Sequence, residues 1–261
     1  MGVPLPQANG TEVPSSSCGG PVRISAEERR KAERKRLPSW FKTTLPTGNA
    51  QSRFNETKSN VHEHGLHTVC EEARCPNIHD CWGRGTATFM IAGEVCTRGC
   101  RFCAVGTEKI PPPLNPNEPA ELAEAVDRMG VSHAVITVVN RDDLADGGAE
   151  HYRNCIKAVH ERCPDVGLEL LCSDLDGNLE ALADLLDELP LKVFAHNVEC
   201  VPRLDSTVRD PRASFTQSLK ILQEAKRLRP DLAIKSSIMV GVGETDEEVV
   251  KAMRLLRGVG V

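Results

Sequence analysis

The chain has 261 residues and a net charge of −5, is 40% apolar, and only 3% of it is aromatic. That length buries about 75% of the surface an unfolded chain exposes, around a mostly aliphatic core. So few rings under a mixed-sign acidic surface argue against nucleobase stacking and general nucleic-acid binding, and no run of about 18 apolar residues suggests a membrane span.

The first 22 residues are rich in Pro, Gly and Ser, with neither an apolar signal core nor an arginine. They read as disordered rather than as a secretory or mitochondrial leader. Eleven cysteines in such a chain point to a reducing, cytoplasmic location where thiols hold metal rather than pair. Arg23 to Arg36 carries seven basic and three acidic side chains, and Ser25 with Glu28 forms a capping-box pattern for a short exposed helix. Residues 1–36 are thus a leader and charged segment, and 37–86 a cysteine-bearing extension.

From residue 87 onward strands and helices alternate. "ATFMIAG" (87–93), "HAVITVV" (133–139), "GLELL" (167–171), "LKVFAHN" (191–197) and "LAIKSSIMVG" (232–241) read as strands. Helices are expected near 119–130, 149–162, 178–188, 214–228 and 246–257. The first has Pro119 at its start and Gly130 at its end, and Phe215, Leu219, Leu222 and Leu228 mark one face of the fourth. Five such βα units imply a parallel sheet with right-handed crossovers. A doubly wound sheet and a (β/α) barrel both fit. Polar residues just beyond the strands, including Arg141, Asp142, Ser173, Asp174, His196 and Asn197, favour the barrel, whose functional loops gather there. The final "GVGV" reads as the start of a sixth strand. The expected fold class is α/β: a partial (β/α) barrel over 87–261, with five units present and a sixth strand cut off, behind the cysteine-rich extension.

"CTRGCRFC" places Cys96, Cys100 and Cys103 directly after the first strand. Three thiolates on a four-iron cluster leave one iron open, and an open position is where a metal centre does chemistry. The spacing matches neither a ferredoxin run nor paired zinc modules. Upstream, Cys70, Cys75 and Cys81 form a second triplet in a loop-like stretch with Pro76 and Asn77. It reads as a second cluster, or as a zinc site completed by His67 or His79. Arg203 and Arg209 are read first as surface ion pairs; Cys155, Cys163, Cys172 and Cys200 are scattered and read as buried thiols.

The three-cysteine loop resembles that of the radical S-adenosylmethionine (SAM) superfamily. The run from His67 to Thr107 resembles the lipoyl synthase family within it, as do "RLPSWFKTTLPTG" (36–48), "RDDLADGGA" (141–149), "AHNVECVPRL" (195–204) and "KSSIMVGVGET" (235–245). The resemblance implies two [4Fe–4S] clusters, with SAM chelated by the open iron on Cys96, Cys100 and Cys103. It implies radical insertion of sulfur at C6 and C8 of an octanoyl chain carried on a lysine of a lipoyl carrier protein. The Cys70, Cys75 and Cys81 cluster would be consumed as sulfur donor, and a low-potential electron donor would be the second partner. Candidate SAM contacts are Asp146, Gly147, Gly148, Glu169, Asn197, Met239 and Gly241. The family's "RSSY" stretch, whose serine closes the auxiliary cluster, is not among these residues. A monomer is expected. The competing expectations are another radical sulfur-inserting enzyme and a non-catalytic two-cluster electron carrier.

Overall fold

In the extension, α1 (Asn49–Glu63) lays Phe54, Thr57 and Val61 along one face at helical spacing. Two short helices follow, α2 (Val69–Glu72) and α3 (Ile78–Gly83), so the second cysteine triplet is more helical than its Pro and Asn content suggested. Phe54 packs on Trp82 of α3, ring centroids 5.9 Å apart. The computed structural model describes residues 45–63, 68–72 and 75–261; the leader, the charged segment after Ser25 and His67 lie outside them.

Next come β1 (Thr86–Ile91), the two-residue strands β2 (Val95–Cys96) and β3 (Gly106–Thr107), and α4 (Glu118–Met129). The remaining elements are β4 (His133–Val138), α5 (Ala149–Arg162), β5 (Gly167–Leu171), α6 (Leu179–Leu186), β6 (Val193–Ala195), α7 (Asp205–Val208), α8 (Phe215–Leu228), β7 (Ala233–Lys235) and α9 (Asp246–Gly258). The large sheet runs β1-β4-β5-β6-β7 with every pairing parallel. Its strand order never reverses, as in a barrel and unlike a doubly wound sheet. It is an open arc of five βα units rather than a closed barrel.

Burial alternates along the strands because one face is roofed by helices. Phe89 and Ile91 on β1 and Ala134 and Ile136 on β4 point under the helices and are buried, while Met90 and Thr137 face the concave side and are half-buried. Sequence-local signals set the helix ends. Gly130 stops α4 in the left-handed conformation at φ 63°, and Thr245 with Glu248 forms a capping box at α9.

Two expectations need correction. Residues 259–261 add no strand; they close α9 in a turn, with Val261 N donating to Leu256 O at 3.2 Å. The buried face of α8 is Phe215, Ser218, Ile221, Leu222 and Ala225, with Leu219 and Leu228 at its margin.

Candidate active site

The chain leaves β1 through Ala92, a non-glycine residue held left-handed at φ 70°. Two side chains hold that turn. Glu118 accepts from Ala92 N at 2.9 Å, and Arg141 Nη1 donates to Ala92 O at 3.3 Å. His151 in turn bonds Glu118. The parallel pairing of Val95 with Gly106 and Cys96 with Thr107 then pinches residues 96–107 into a closed loop carrying Cys96, Cys100 and Cys103.

Backbone donors converge on two of its sulfurs. Asn140 N and Arg98 N lie 3.3 and 3.4 Å from Cys96 Sγ, and Asp210 N lies 3.4 Å from Cys100 Sγ. Such N–H groups stabilise thiolates and tune any cluster they hold. Burial pushes the Cys100 thiol up, against the opposing Asp210 N–H and the Arg209 guanidinium.

All three loop cysteines line a cavity of about 300 Å³ at the C-terminal ends of β4, β5 and β6. Its apolar side includes Met90, Phe102, Val105 and Val138; its polar side includes Asn197, Glu199 and Arg209. Glu199 is held left-handed at φ 65°, and burial raises its carboxyl above the usual range, against an Asn197 hydrogen bond and Arg209. Arg209 is 6% exposed and not the surface ion pair expected. A directed chain orients it. Arg209 donates to Ser218 Oγ at 3.1 Å, Ser218 Oγ lies 2.9 Å from His196 Nε2, and His196 Nδ1 lies 2.8 Å from Cys172 O. Burial holds His196 below its ordinary pKa, so it is neutral, with Nδ1–H donating and Nε2 accepting. Arg203 does behave as expected, pairing with Glu248 on the surface.

The second triplet rests on backbone bonds: Cys75 N to Cys70 O at 3.0 Å and Cys81 N to Asn77 O at 2.9 Å. Burial raises the Cys81 thiol; Arg84 opposes this, and nearby Cys70 and Cys75 add to it. His79 packs on Phe54 with the rings tilted 38° and centroids 4.5 Å apart. Val69, immediately before Cys70, lines the same cavity as the loop cysteines.

Among the described residues, only Glu118, His151 and Cys155 place three donor atoms within 4.8 Å of one another. Burial holds the Cys155 thiol up at about 12, so this trio reads as a hydrogen-bonded latch. Neither cysteine triplet is that tight. Of the other donors at the cavity, both His196 nitrogens are bonded and burial keeps the Cys172 thiol protonated, while the Glu199 carboxyl also lines it. Three loop thiols on one cavity would suit a cluster with one open iron.

The expected SAM contacts divide. Asn197 lines the cavity. Asp146, Gly147 and Gly148 build the turn into α5: the Asp146 carboxylate accepts from Gly148 N at 2.9 Å and Glu150 N at 2.8 Å. Gly148 is at φ 91°, and a Cβ there would meet the Tyr152 ring at 2.8 Å. Glu169 is buried lower on the concave face, bonded to Lys235 at 2.7 Å. Met239 N donates to Glu199 O at 2.8 Å, which supports a cavity residue from behind. Gly241, at φ 93°, gives its N–H to Glu244. Sequence reasoning passed over Glu199, two positions after Asn197, and Arg98, inside the cysteine motif itself.

An arc of parallel strands with three free thiols at their C-terminal ends defines a class. A model of the radical SAM superfamily matches residues 90–256, and the chain belongs to that superfamily. A solved methylornithine synthase shares the fold at a TM-score of 0.54 with 15% identity, over 83% of this chain and 58% of that one. A second model, the N-terminal domain of lipoyl synthase, matches residues 23–75. The lipoyl synthase of Thermus thermophilus is 49% identical over 236 residues, 90% of this chain and 72% of that protein. The mitochondrial lipoyl synthase of Xenopus laevis is 49% identical over 239 residues, 90% of this chain and 63% of that protein. Within the superfamily, the chain belongs to the lipoyl synthase family. It spans less than two thirds of the length of several curated relatives, including 62% of the Homo sapiens protein.

Proposed function

We propose that the chain carries the catalytic machinery of lipoyl synthesis: insertion of two sulfur atoms, at C6 and C8, into an octanoyl chain on a lysine of a lipoyl carrier protein. One observation supports this most. Val69, adjacent to Cys70, and the cysteines at 96, 100 and 103 line one cavity, so a sulfur source on the second triplet would border the space where a C–H bond is opened.

In this reading Cys96, Cys100 and Cys103 hold one [4Fe–4S] cluster, and Cys70, Cys75 and Cys81 hold the sacrificial one. Bound there, the first cluster supplies an open iron for SAM and one electron from a low-potential donor. The chain's own residues do the rest. Asn197, Glu199 and Arg209 present polar groups to a zwitterionic, hydroxylated ligand. Met90 and Val138 form an apolar wall that keeps water from the reacting carbon, which protects a reactive intermediate from side reactions, and Phe102 stands at the exposed rim. Gly147, Gly148 and Gly241 shape the neighbouring turns, while Glu169 and Met239 act from outside the cavity wall. All ten described cysteines are unpaired, which suits a reducing compartment, either cytosol or mitochondrial matrix. Among the described residues no helix is long and apolar enough to cross a membrane.

The test is anaerobic reconstitution followed by incubation with SAM, a reductant and an octanoyl-lysine peptide. The expected result is about eight irons per chain, formation of 5′-deoxyadenosine, and thiolated peptide. Iron binding without SAM cleavage would favour an electron carrier.

A further inference from the structure

We propose that Arg98 is the positioning residue of the three-cysteine loop, setting the orientation in which Cys96, Cys100 and Cys103 meet the cavity by tying the loop to the ends of β4 and β5. The proposal rests on the radical SAM reading of those cysteines.

Arg98 lies between Cys96 and Cys100, and its side chain is only 1% exposed. It runs beneath the loop. Nε and Nη2 donate to the two Asp142 oxygens at 2.9 and 2.7 Å as a fork, and Nη1 donates to Asp174 at 2.7 Å. Asp176 adds a contact at 3.3 Å. Asp142 stands just past β4 and Asp174 just past β5, so one guanidinium spans the ends of two neighbouring strands. Both carboxylates are held independently: Thr97 Oγ1 lies 2.7 Å from Asp142 Oδ2, and Gln217 Nε2 donates to Asp174 at 2.8 Å.

The strap acts directly on a sulfur, because Arg98 N is 3.4 Å from Cys96 Sγ. Any rotation of the Arg98 backbone therefore moves a donor to the first thiol. From the β6 side, Asp210 accepts from Gly99 N at 3.0 Å and Arg212 donates to Thr97 O at 2.6 Å. Those contacts hold the loop's other flank; past β4 Thr97 shares the hold, its N–H donating to Asn140 O at 3.0 Å, and Arg98 carries the tie on to Asp174 past β5. A residue that only balanced the charge of Asp142 and Asp174 could be a lysine. A residue that sets an angle needs the planar fork, which lysine lacks.

The test uses the full chain, reconstituted anaerobically, as wild type, Arg98→Lys and the paired Arg98→Gln/Asp174→Asn. Three properties are read: thermal midpoint, iron per chain, and the change in the reduced protein's electron paramagnetic resonance spectrum as SAM is titrated in. Arg98→Lys is expected to fold and hold wild-type iron, while the SAM concentration for half the spectral change rises about tenfold or more, as small displacements of reacting groups do. Wild-type half-saturation in Arg98→Lys overturns the proposal. If the lysine variant instead loses its thermal transition, the paired variant decides, since it removes a buried charge from each side. Restored iron with half-saturation still raised supports positioning; restoration of both overturns it. A wild-type protein with no cluster signal would defeat the radical SAM reading and not this step.

Discussion

The two cysteine triplets offer equal numbers of thiols but are held by different forces. The loop from Cys96 to Cys103 is braced by charged side chains from beyond three strands: Asp142, Asp174, Asp210 and Arg212. The described part of the segment from Cys70 to Cys81 is braced by packing and backbone turns, with Phe54 and Trp82 beneath it and two surface contacts, Arg84 to Asp80 and His62 to Glu71. Charged, directional contacts fix an angle; apolar packing fixes a place. That division suits a site whose ligand must be aimed, beside one that has only to be near.

The sharpest way to separate the two is to remove the thiols in sets. Replacing Cys96, Cys100 and Cys103 by Ala should remove roughly half the iron and abolish SAM cleavage. Replacing Cys70, Cys75 and Cys81 should remove the other half and spare cleavage. Iron analysis and 5′-deoxyadenosine assay read both; joint loss of all iron in either variant would break the comparison.

Single substitutions should have smaller effects. Phe54→Ala should cost ~3–5 kcal/mol in urea unfolding, because the ring is buried against Trp82 and His79, and should release auxiliary iron first. Asp210→Ala should cost ~1.5–3 kcal/mol, the range for hydrogen bonds to a charged group, and should loosen only the cysteine loop.

Glu118 is smaller again. Burial would raise its carboxyl, but hydrogen bonds from His151 and Ala92 N hold it below the ordinary 4.5. Its contribution is therefore complete above pH 4.5 and drains away as pH falls through the lowered folded value. Acid unfolding followed by circular dichroism should show Glu118→Gln about 1 kcal/mol weaker at neutral pH, with a flatter acid limb. The smallest change belongs to Trp82→Phe. The Trp82 indole N–H is buried without a partner among the described residues, so Trp82→Phe removes a desolvation cost of ~1–3 kcal/mol that offsets the loss of buried ring atoms, and urea unfolding should show a small net change.

Much of the barrel was legible because its signals are local. α5 runs from Ala149 to Arg162, the span expected near 149–162, and each of the five expected stretches holds a strand, though the last is strand only over Ala233–Lys235 of 232–241. Helix α1 was missed because a buried threonine, Thr57, holds the middle of its inner face, and β2 and β3 because two residues show no period. In the site, cysteine spacing led directly to the cavity. The Arg98 strap was hidden because its partners lie 44 and 76 residues away, and no local pattern reports a contact made only by folding. Arg209 misled for a related reason: its buried partner Ser218 lies nine residues on, in α8.

If Cys96, Cys100 and Cys103 leave one iron for SAM, Mössbauer spectroscopy will show it in chain lacking Cys70, Cys75 and Cys81 and loaded with iron-57. SAM is expected to shift roughly one quarter of the iron signal, one site of a four-iron cluster. Four equivalent irons, unchanged by SAM, would mean that no iron is left open.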